Sequence, residues 1–279
     1  MKFPPLHTAS IYGQFEVVKL IYHFEEDFNR PLFCKKFERL PEWKTDYYEH
    51  PIVAAIENGH TEIVKFIANT PQEIQNPSIT FFGLPLIYLA VMHKNLELVK
   101  FFAPKTQNIN QIHGSSFKDS LLHASIKSDF EIFKFLMTIP GIDPNVQDGN
   151  GETILQQLCT KRITSKLKVP KEDVMKMIEI LAPLSNLRKY PLHQAVSNGS
   201  VGIVKILVKY LDANVKDFQG LLPIDHALRR NYPEAFKILA PYTKELRTDY
   251  FNMFNSNSKA IDLLKSLIQE RNKSRSKEE

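Results

Sequence analysis

The sequence predicts an all-α solenoid of helix–turn–helix units joined by β-hairpin fingers. Three observations carry that expectation. The stretch from Tyr190 to Leu207, YPLHQAVSNGSVGIVKIL, recurs as PPLHTASIYGQFEVVKLI from Pro4 to Ile21 and as HPIVAAIENGHTEIVKFI from His50 to Ile67. Repetition at this period marks a stacked array, because one such unit cannot bury its apolar face alone. The later part of each copy reads as an apolar helix: FEVVKLI, TEIVKFI, LELVKFF, FEIFKFL and EAFKIL share apolar residues at helical spacing. The links between helix pairs carry turn chemistry, DPNVQDGNGET from Asp143 to Thr153 and DANVKDFQG from Asp212 to Gly220. There Asp and Asn bond the local backbone, and Gly supplies the positive φ that a tight turn needs.

Taken in order, the units begin at Pro4, His50, Pro85, Asp119, Thr153, Tyr190 and Leu222. Three second helices end alike, at Phe102-Ala103-Pro104, Leu181-Ala182-Pro183 and Leu239-Ala240-Pro241. Proline there stops the helix because it cannot continue the hydrogen-bond ladder. Two insertions break the period. Residues 29–49 hold the only tryptophan, Trp43, with Phe33, Phe37, Tyr47 and Tyr48. Residues 160–171, TKRITSKLKVPK, are basic and fall between the two helices of the fifth unit, which resumes at Met177. Beyond Pro241, KAIDLLKSLIQ from Lys259 to Gln269 reads as one more amphipathic helix, a C-terminal cap with a polar outer face. The charged end, RNKSRSKEE, reads as a disordered tail.

Composition narrows the class. The chain has 279 residues, 43% apolar, enough for a continuous core. No run approaches the ~18 apolar residues of a membrane span. MKFPPLHTAS leads straight into the first repeat, so a signal peptide is not expected. A net charge of +5 is too weak alone to imply nucleic acid. The two cysteines, Cys34 and Cys159, lie far apart with no CxxC, which argues against disulfides and zinc and fits a reducing compartment. Cys159 aligns with the small packed residues Ser10 and Val196 and is expected to be buried. The sequence lacks a G-x-S-x-G elbow, an H-E-x-x-H pair and a P-loop, so no catalytic residues are assigned.

The motifs PLHTAS at Pro5–Ser10, ENGHTEIVKFI at Glu57–Ile67, DGNGETIL at Asp148–Leu155, PLHQAVSNG at Pro191–Gly199 and DFQGLLPIDHAL at Asp217–Leu228 resemble those of ankyrin-repeat proteins. The resemblance implies seven ankyrin-like repeats over 1–240, a degenerate capping segment at 241–270 and a tail at 271–279. It implies non-catalytic binding, as a scaffold, adaptor or inhibitor, of a protein partner in a concave groove. No cofactor or metal is expected, nor a membrane association, and the chain is expected to be monomeric and cytoplasmic, with the nucleus open. In that family histidine at the His7 and His193 slot ties neighbouring units. Here the slot is Val53, Tyr88, Leu122, Gln156 or Asp225 elsewhere, and the turn glycine becomes Lys94, Ser128 and Asn231.

The family's groove is lined by finger tips and by two variable positions at the end of each first helix. Those positions are Ile11-Tyr12, Glu57-Asn58, Met92-His93, Ile126-Lys127, Thr160-Lys161, Ser197-Asn198 and Arg229-Arg230. They begin apolar and aromatic, pass a carboxylate and become basic. The expected partner contacts are Tyr12, Trp43, Glu57, Asn58, Met92, His93, Lys127, Phe218, Arg229 and Arg230. A second reading is electrostatic binding of nucleic acid or phosphorylated ligands through the basic loop, Arg229-Arg230 and the tail.

Overall fold

The computed structural model describes residues 5–22, 50–70, 80–81, 84–113, 118–160, 169–185, 190–244, 246 and 259–275. These residues fall into two compact units, Met1–Ile142 and Asp143–Glu279. Trp43 and its aromatic insertion, Cys34, and residues 161–168 of the basic insertion lie outside the described residues.

The first unit holds the helix pairs α1 (Pro5–Ile11) and α2 (Phe15–Tyr22), α3 (Pro51–Glu57) and α4 (Thr61–Ala68), α5 (Leu86–Met92) and α6 (Leu96–Phe102), and α7 (Leu121–Ser125) and α8 (Phe130–Leu136). First helices pack on first helices, α1 on α3, α3 on α5 and α5 on α7. Second helices pack likewise, α2 on α4, α4 on α6 and α6 on α8. The expected fingers are short antiparallel hairpins, β1 (Thr80–Phe81) with β2 (Leu84–Pro85), and β3 (Ile112–His113) with β4 (Asp119–Ser120).

The second unit repeats the plan with α9 (Ile154–Cys159) and α10 (Lys171–Leu181), α11 (Pro191–Ser197) and α12 (Val201–Leu207), and α13 (Pro223–Arg229) and α14 (Pro233–Leu239). The helix α15 (Lys259–Arg275) packs on α13 and α14. Its finger before α9 is reduced to one antiparallel bridge, Gln147 to Thr153.

Two slots hold the layers together. The residue before the second-helix lysine is fully buried throughout: Val18, Val64, Val99, Phe133, Val204 and Phe236, with Ile178 at the same slot in α10. Burial of each such side chain is worth about 1.5–3 kcal/mol. On the first helices Ala9, Ala55, Ala90, Ala195 and Ala227 share one buried slot, taken by Ser125 in α7, where a small side chain lets adjacent helices approach. The three Ala-Pro stops behave as expected: each helix tightens into a 3-10 turn, at Ala103–Lys105, Ala182–Leu184 and Ala240–Tyr242. Cys159 is fully buried, and burial pushes its thiol well above the usual range, so it is inert.

The departures from the histidine slot find local replacements. Gln156 closes a capping box on Thr153, accepting from the Thr153 N–H at 2.9 Å. Asp225 accepts from the Leu222 N–H at 2.8 Å. His193 itself donates from Nε2 to the Leu221 carbonyl at 3.1 Å, tying its repeat to the next.

Three boundaries differ from the sequence reading. The helix α10 begins at Lys171, inside the segment read as insertion, because Pro170 sets its entry and Glu172 and Asp173 oppose the helix dipole in the first turn. Ile126, read as a surface position, is fully buried: α7 is capped by Ser120, one residue later than the repeat frame placed it, so Ile126 falls in the buried slot of Ile56 and Val91. The last helix runs to Arg275, beyond 270 and into the charged stretch.

The helix-to-helix turn sets a further constraint. Gly13 and Gly199 have φ of 70° and 66°, and the ring of the next repeat closes over each. A Cβ on Gly13 would stand 2.5 Å from His60 Cε1, and one on Gly199 3.1 Å from the Tyr232 ring. His60 holds that position by donating from Nε2 to the Ile11 carbonyl at 2.9 Å. Gly59, at φ 78°, has open space around it. In urea unfolding, Gly59→Ala is expected to lose only the left-handed backbone term, about 1–2 kcal/mol. Gly13→Ala should lose about 1 kcal/mol or more beyond that, from the displaced imidazole. Lys94 adopts the glycine conformation at φ 56°, so Lys94→Gly should move the other way and stabilise by up to about 1 kcal/mol.

Candidate partner-binding face

Several first helices expose little beyond their last residue and cap. In α3 every residue from Pro51 to Ile56 is buried, and exposure begins at Glu57 and Asn58. In α5 the buried run is Ile87 to Val91, and Met92 and His93 follow it outward. In α13 exposure begins at Arg229 and Arg230. Tyr12 stands 70% exposed just past α1. In these repeats the expected pairs Glu57-Asn58, Met92-His93 and Arg229-Arg230 lie outside the packed layer, whereas Ser197-Asn198 is half-buried and Lys161 lies outside the described residues.

Lys127 departs from that pattern. It is half-buried, and its ammonium folds back to the buried carboxylate of Asp119, Oδ2, in the finger of its own repeat. The nearby Tyr88 hydroxyl is pushed up, first by burial and then by the Asp119 charge. Two other variable positions also face inward chemistry. Asn58 donates from Nδ2 to the Ala54 carbonyl at 2.8 Å, and Asn198 to the Cys159 carbonyl of the preceding repeat at 3.1 Å.

The fingers of the second unit are built on buried aspartates. Asp217 Oδ1 accepts from the N–H groups of Gln219 at 2.8 Å and Leu221 at 3.0 Å. Asp148 Oδ1 does the same for Asn150 at 2.9 Å and Glu152 at 2.8 Å. The other oxygen braces the finger to the first helix: Gln157 Nε2 donates to Asp148 Oδ2 at 2.8 Å, and His226 Nε2 to Asp217 Oδ2 at 2.7 Å. Burial alone would raise the Asp217 carboxyl; the bonds from Leu221, His226 and Gln219 outweigh it and hold the group below its usual range. The result is a rigid tip that presents Phe218 at 83% exposure, beside Gln219.

His226 has a second bond. With Nε2 donating to Asp217, its Nδ1 is the acceptor, and the Ser197 hydroxyl donates to it at 3.0 Å. The order serine, histidine, aspartate is that of a nucleophile relay, but acyl transfer also needs N–H donors aimed at the developing oxyanion. The N–H groups after Ser197 already donate within the helix end: Asn198 to the Gln194 carbonyl, Gly199 to Val196 and Ser200 to Ala195. The network is a brace between adjacent repeats. The sequence reading missed it, although aligning Asp148 with Asp217 puts Gln157 and His226 in one slot.

Some second-helix lysines pair with carboxylates, Lys65 with Glu62 at 3.2 Å and with Glu97 of the next repeat, Lys176 with Asp173 at 3.3 Å and Lys237 with Glu234 at 3.0 Å. Lys100, Lys134 and Lys205 are exposed without a carboxylate partner among the described residues. Arg229 donates from Nη1 to Gln219 Oε1 at 3.3 Å, and neither Arg229 nor Arg230 has a carboxylate partner among the described residues. Among the described residues no cluster of His, Cys, Asp and Glu could hold a metal ion, and no helix is long and apolar enough to cross a membrane.

The family model described as ankyrin repeats (3 copies) matches residues 52–148 and 171–249. SMC5-SMC6 complex localization factor protein 1 of Homo sapiens is 29% identical over 143 residues, covering 48% of this chain and 13% of that protein. The Bos taurus protein of the same name is 28% identical over 125 residues, covering 42% of this chain and 11% of its own. This chain thus spans a small part of the length of these relatives. Among solved structures, the human ASB11 ankyrin repeat domain aligns with a TM-score of 0.55 and 18% identity, over 88% of this chain and 100% of that one. At that identity the likeness concerns the fold.

Burial holds the His193 imidazole below its ordinary pKa, with the neighbouring His226 adding to the effect and the Leu221 bond opposing it. An unfolded histidine titrates near ~6.5. Below that pH the unfolded chain binds the proton first, so this contribution is full above ~6.5 and is lost as pH falls toward the folded value. Urea midpoints at pH 7.5 and 5.0 should drop less in His193→Gln than in the parent chain; an equal drop would assign the pH dependence to other groups.

Proposed function

The chain belongs to the ankyrin-repeat family, whose repeats generally mediate protein–protein interaction, and on that premise we propose that it is a non-catalytic interaction module holding a protein partner on the first-helix and finger face of its repeats. The observation that supports this is the set of large apolar side chains left outside the packed layers on that face. Tyr12 and Met92 in the first unit and Phe218 in the second are 70%, 48% and 83% exposed. Aromatic side chains and arginine are the usual anchors of an interface, and a rigid support lowers the entropy lost on binding. The braced finger under Phe218 provides such a support. Trp43 joins the proposed contacts from the sequence alone.

Two relatives are named as localization factors of the SMC5-SMC6 complex. By that likeness the partner would be a component of a protein complex, and the likeness lends no support to the cytoplasmic expectation. The electrostatic alternative draws less support, because a net charge of +5 is too weak alone to imply nucleic acid.

Affinity capture with the intact chain, beside a Tyr12→Ala/Met92→Ala/Phe218→Ala variant, tests the reading. These side chains lie outside the core, so circular dichroism should be unchanged. A partner protein held by the parent chain should be lost at least about tenfold in the variant, the scale of interface anchors. Equal capture by both would remove this face from the interface. Capture of nucleic acid alone, released by salt, would favour the electrostatic reading.

A further inference from the structure

We propose that the last repeat of the second unit recognises an anionic peptide segment. Arg229 and Arg230 each take one acidic side chain, and Phe218 packs on an apolar side chain next to them. The inference rests on the interaction-module reading above and gives that face a ligand chemistry. Its first support is the charge pattern. Among the cations at the ends of the first helices, Lys127 is folded onto the carboxylate of Asp119. Arg229 and Arg230 are exposed, adjacent and without a carboxylate among the described residues. A guanidinium is weakly hydrated and presents a planar donor fork that fits a carboxylate or phosphate.

The second support is placement. Arg229 ends α13 and Arg230 is its cap. Arg229 reaches Gln219 on the finger, whose neighbour is Phe218, so charge and apolar surface belong to one patch. Adjacent residues on a helix point in different directions, so the two arginines address two anionic groups rather than chelating one. A helix C-terminus does favour cations, by about 0.3–1 kcal/mol. That does not account for the pair, because equivalent helices end without it: α3 ends in Glu57 with Asn58 as its cap, and α11 in Ser197 with Asn198.

The test is selection of a random dodecapeptide library on the intact chain, followed by fluorescence-polarisation affinities for the enriched peptides. Enriched sequences should carry two Asp or Glu beside an aromatic or aliphatic residue. Their affinity should fall at least tenfold in R229E/R230E, fall severalfold in F218A and be retained in part by R229K/R230K. Should the charge-reversed chain fail to fold, R229Q/R230Q supplies the comparison. Replacing the acidic pair by phosphoserine identifies the source of the anion; tighter binding of either form supports the proposal. Peptides that bind the charge-reversed chain within twofold of the parent overturn it. If those peptides are instead lost with Y12A/M92A, the interaction-module reading survives without the anionic site. If no peptide is enriched and only an oligonucleotide binds, both readings fall.

Discussion

A two-turn helix cannot stand alone, and the rest of this structure follows from that. The seven residues of α3 or α13 span roughly 10 Å, far below the ~12–15 residues at which isolated helices become marginal in water. Their stability comes from neighbours, so nearly every side chain of a first helix is claimed by the next repeat. Ile52 to Ile56 and Ile87 to Val91 are buried without a break. What remains for function is the last residue, the cap and the finger tip. The proposed binding face is what this packing leaves over, and its chemistry varies from repeat to repeat.

The elements most legible in the sequence were those fixed by local chemistry. The Ala-Pro stops, the Asp-led fingers and the alanine slot each need one residue type for one steric or hydrogen-bonding reason. The exposed pairs followed from the repeat frame. The misses share a different cause. Whether Lys127 points out or folds back depends on Asp119, eight positions away and buried by the layer beneath it. Ile126 is buried because α7 starts one residue later than the repeat frame implied, with Ser120 as its cap. His226 looked like an ordinary departure from the pattern, but its role is set by partners on two elements, Asp217 below and Ser197 in the preceding repeat. Such bonds span a repeat and leave no period in the sequence.

An exposed lysine–glutamate pair contributes little to stability, typically about 0.2–1 kcal/mol. Such pairing is partial here: Lys19, Lys65, Lys176 and Lys237 are matched, whereas Lys100, Lys134 and Lys205 have no carboxylate among the described residues. Lys65 reaches across to Glu97 of the next repeat, so the pairing also crosses between repeats. An adjacent pair of guanidiniums without carboxylates is a local feature that screening will not erase at contact distance.

Backbone strain falls at the same turns. Lys94 and Asn231 occupy the left-handed conformation that glycine takes at Gly13, Gly59 and Gly199, at a cost of order 1–2 kcal/mol for a residue with a Cβ. Each directly follows an exposed pair, Met92-His93 and Arg229-Arg230. Asn231 has a structural return: its Oδ1 accepts from the Ala260 N–H at 3.4 Å, at the start of α15. Lys94 is exposed, and no bond of its side chain among the described residues offsets the strain. A lysine at the turn beside Met92 and His93 adds a cation to an apolar edge, placing charge and apolar surface together in the first unit as Arg229, Arg230 and Phe218 place them in the second.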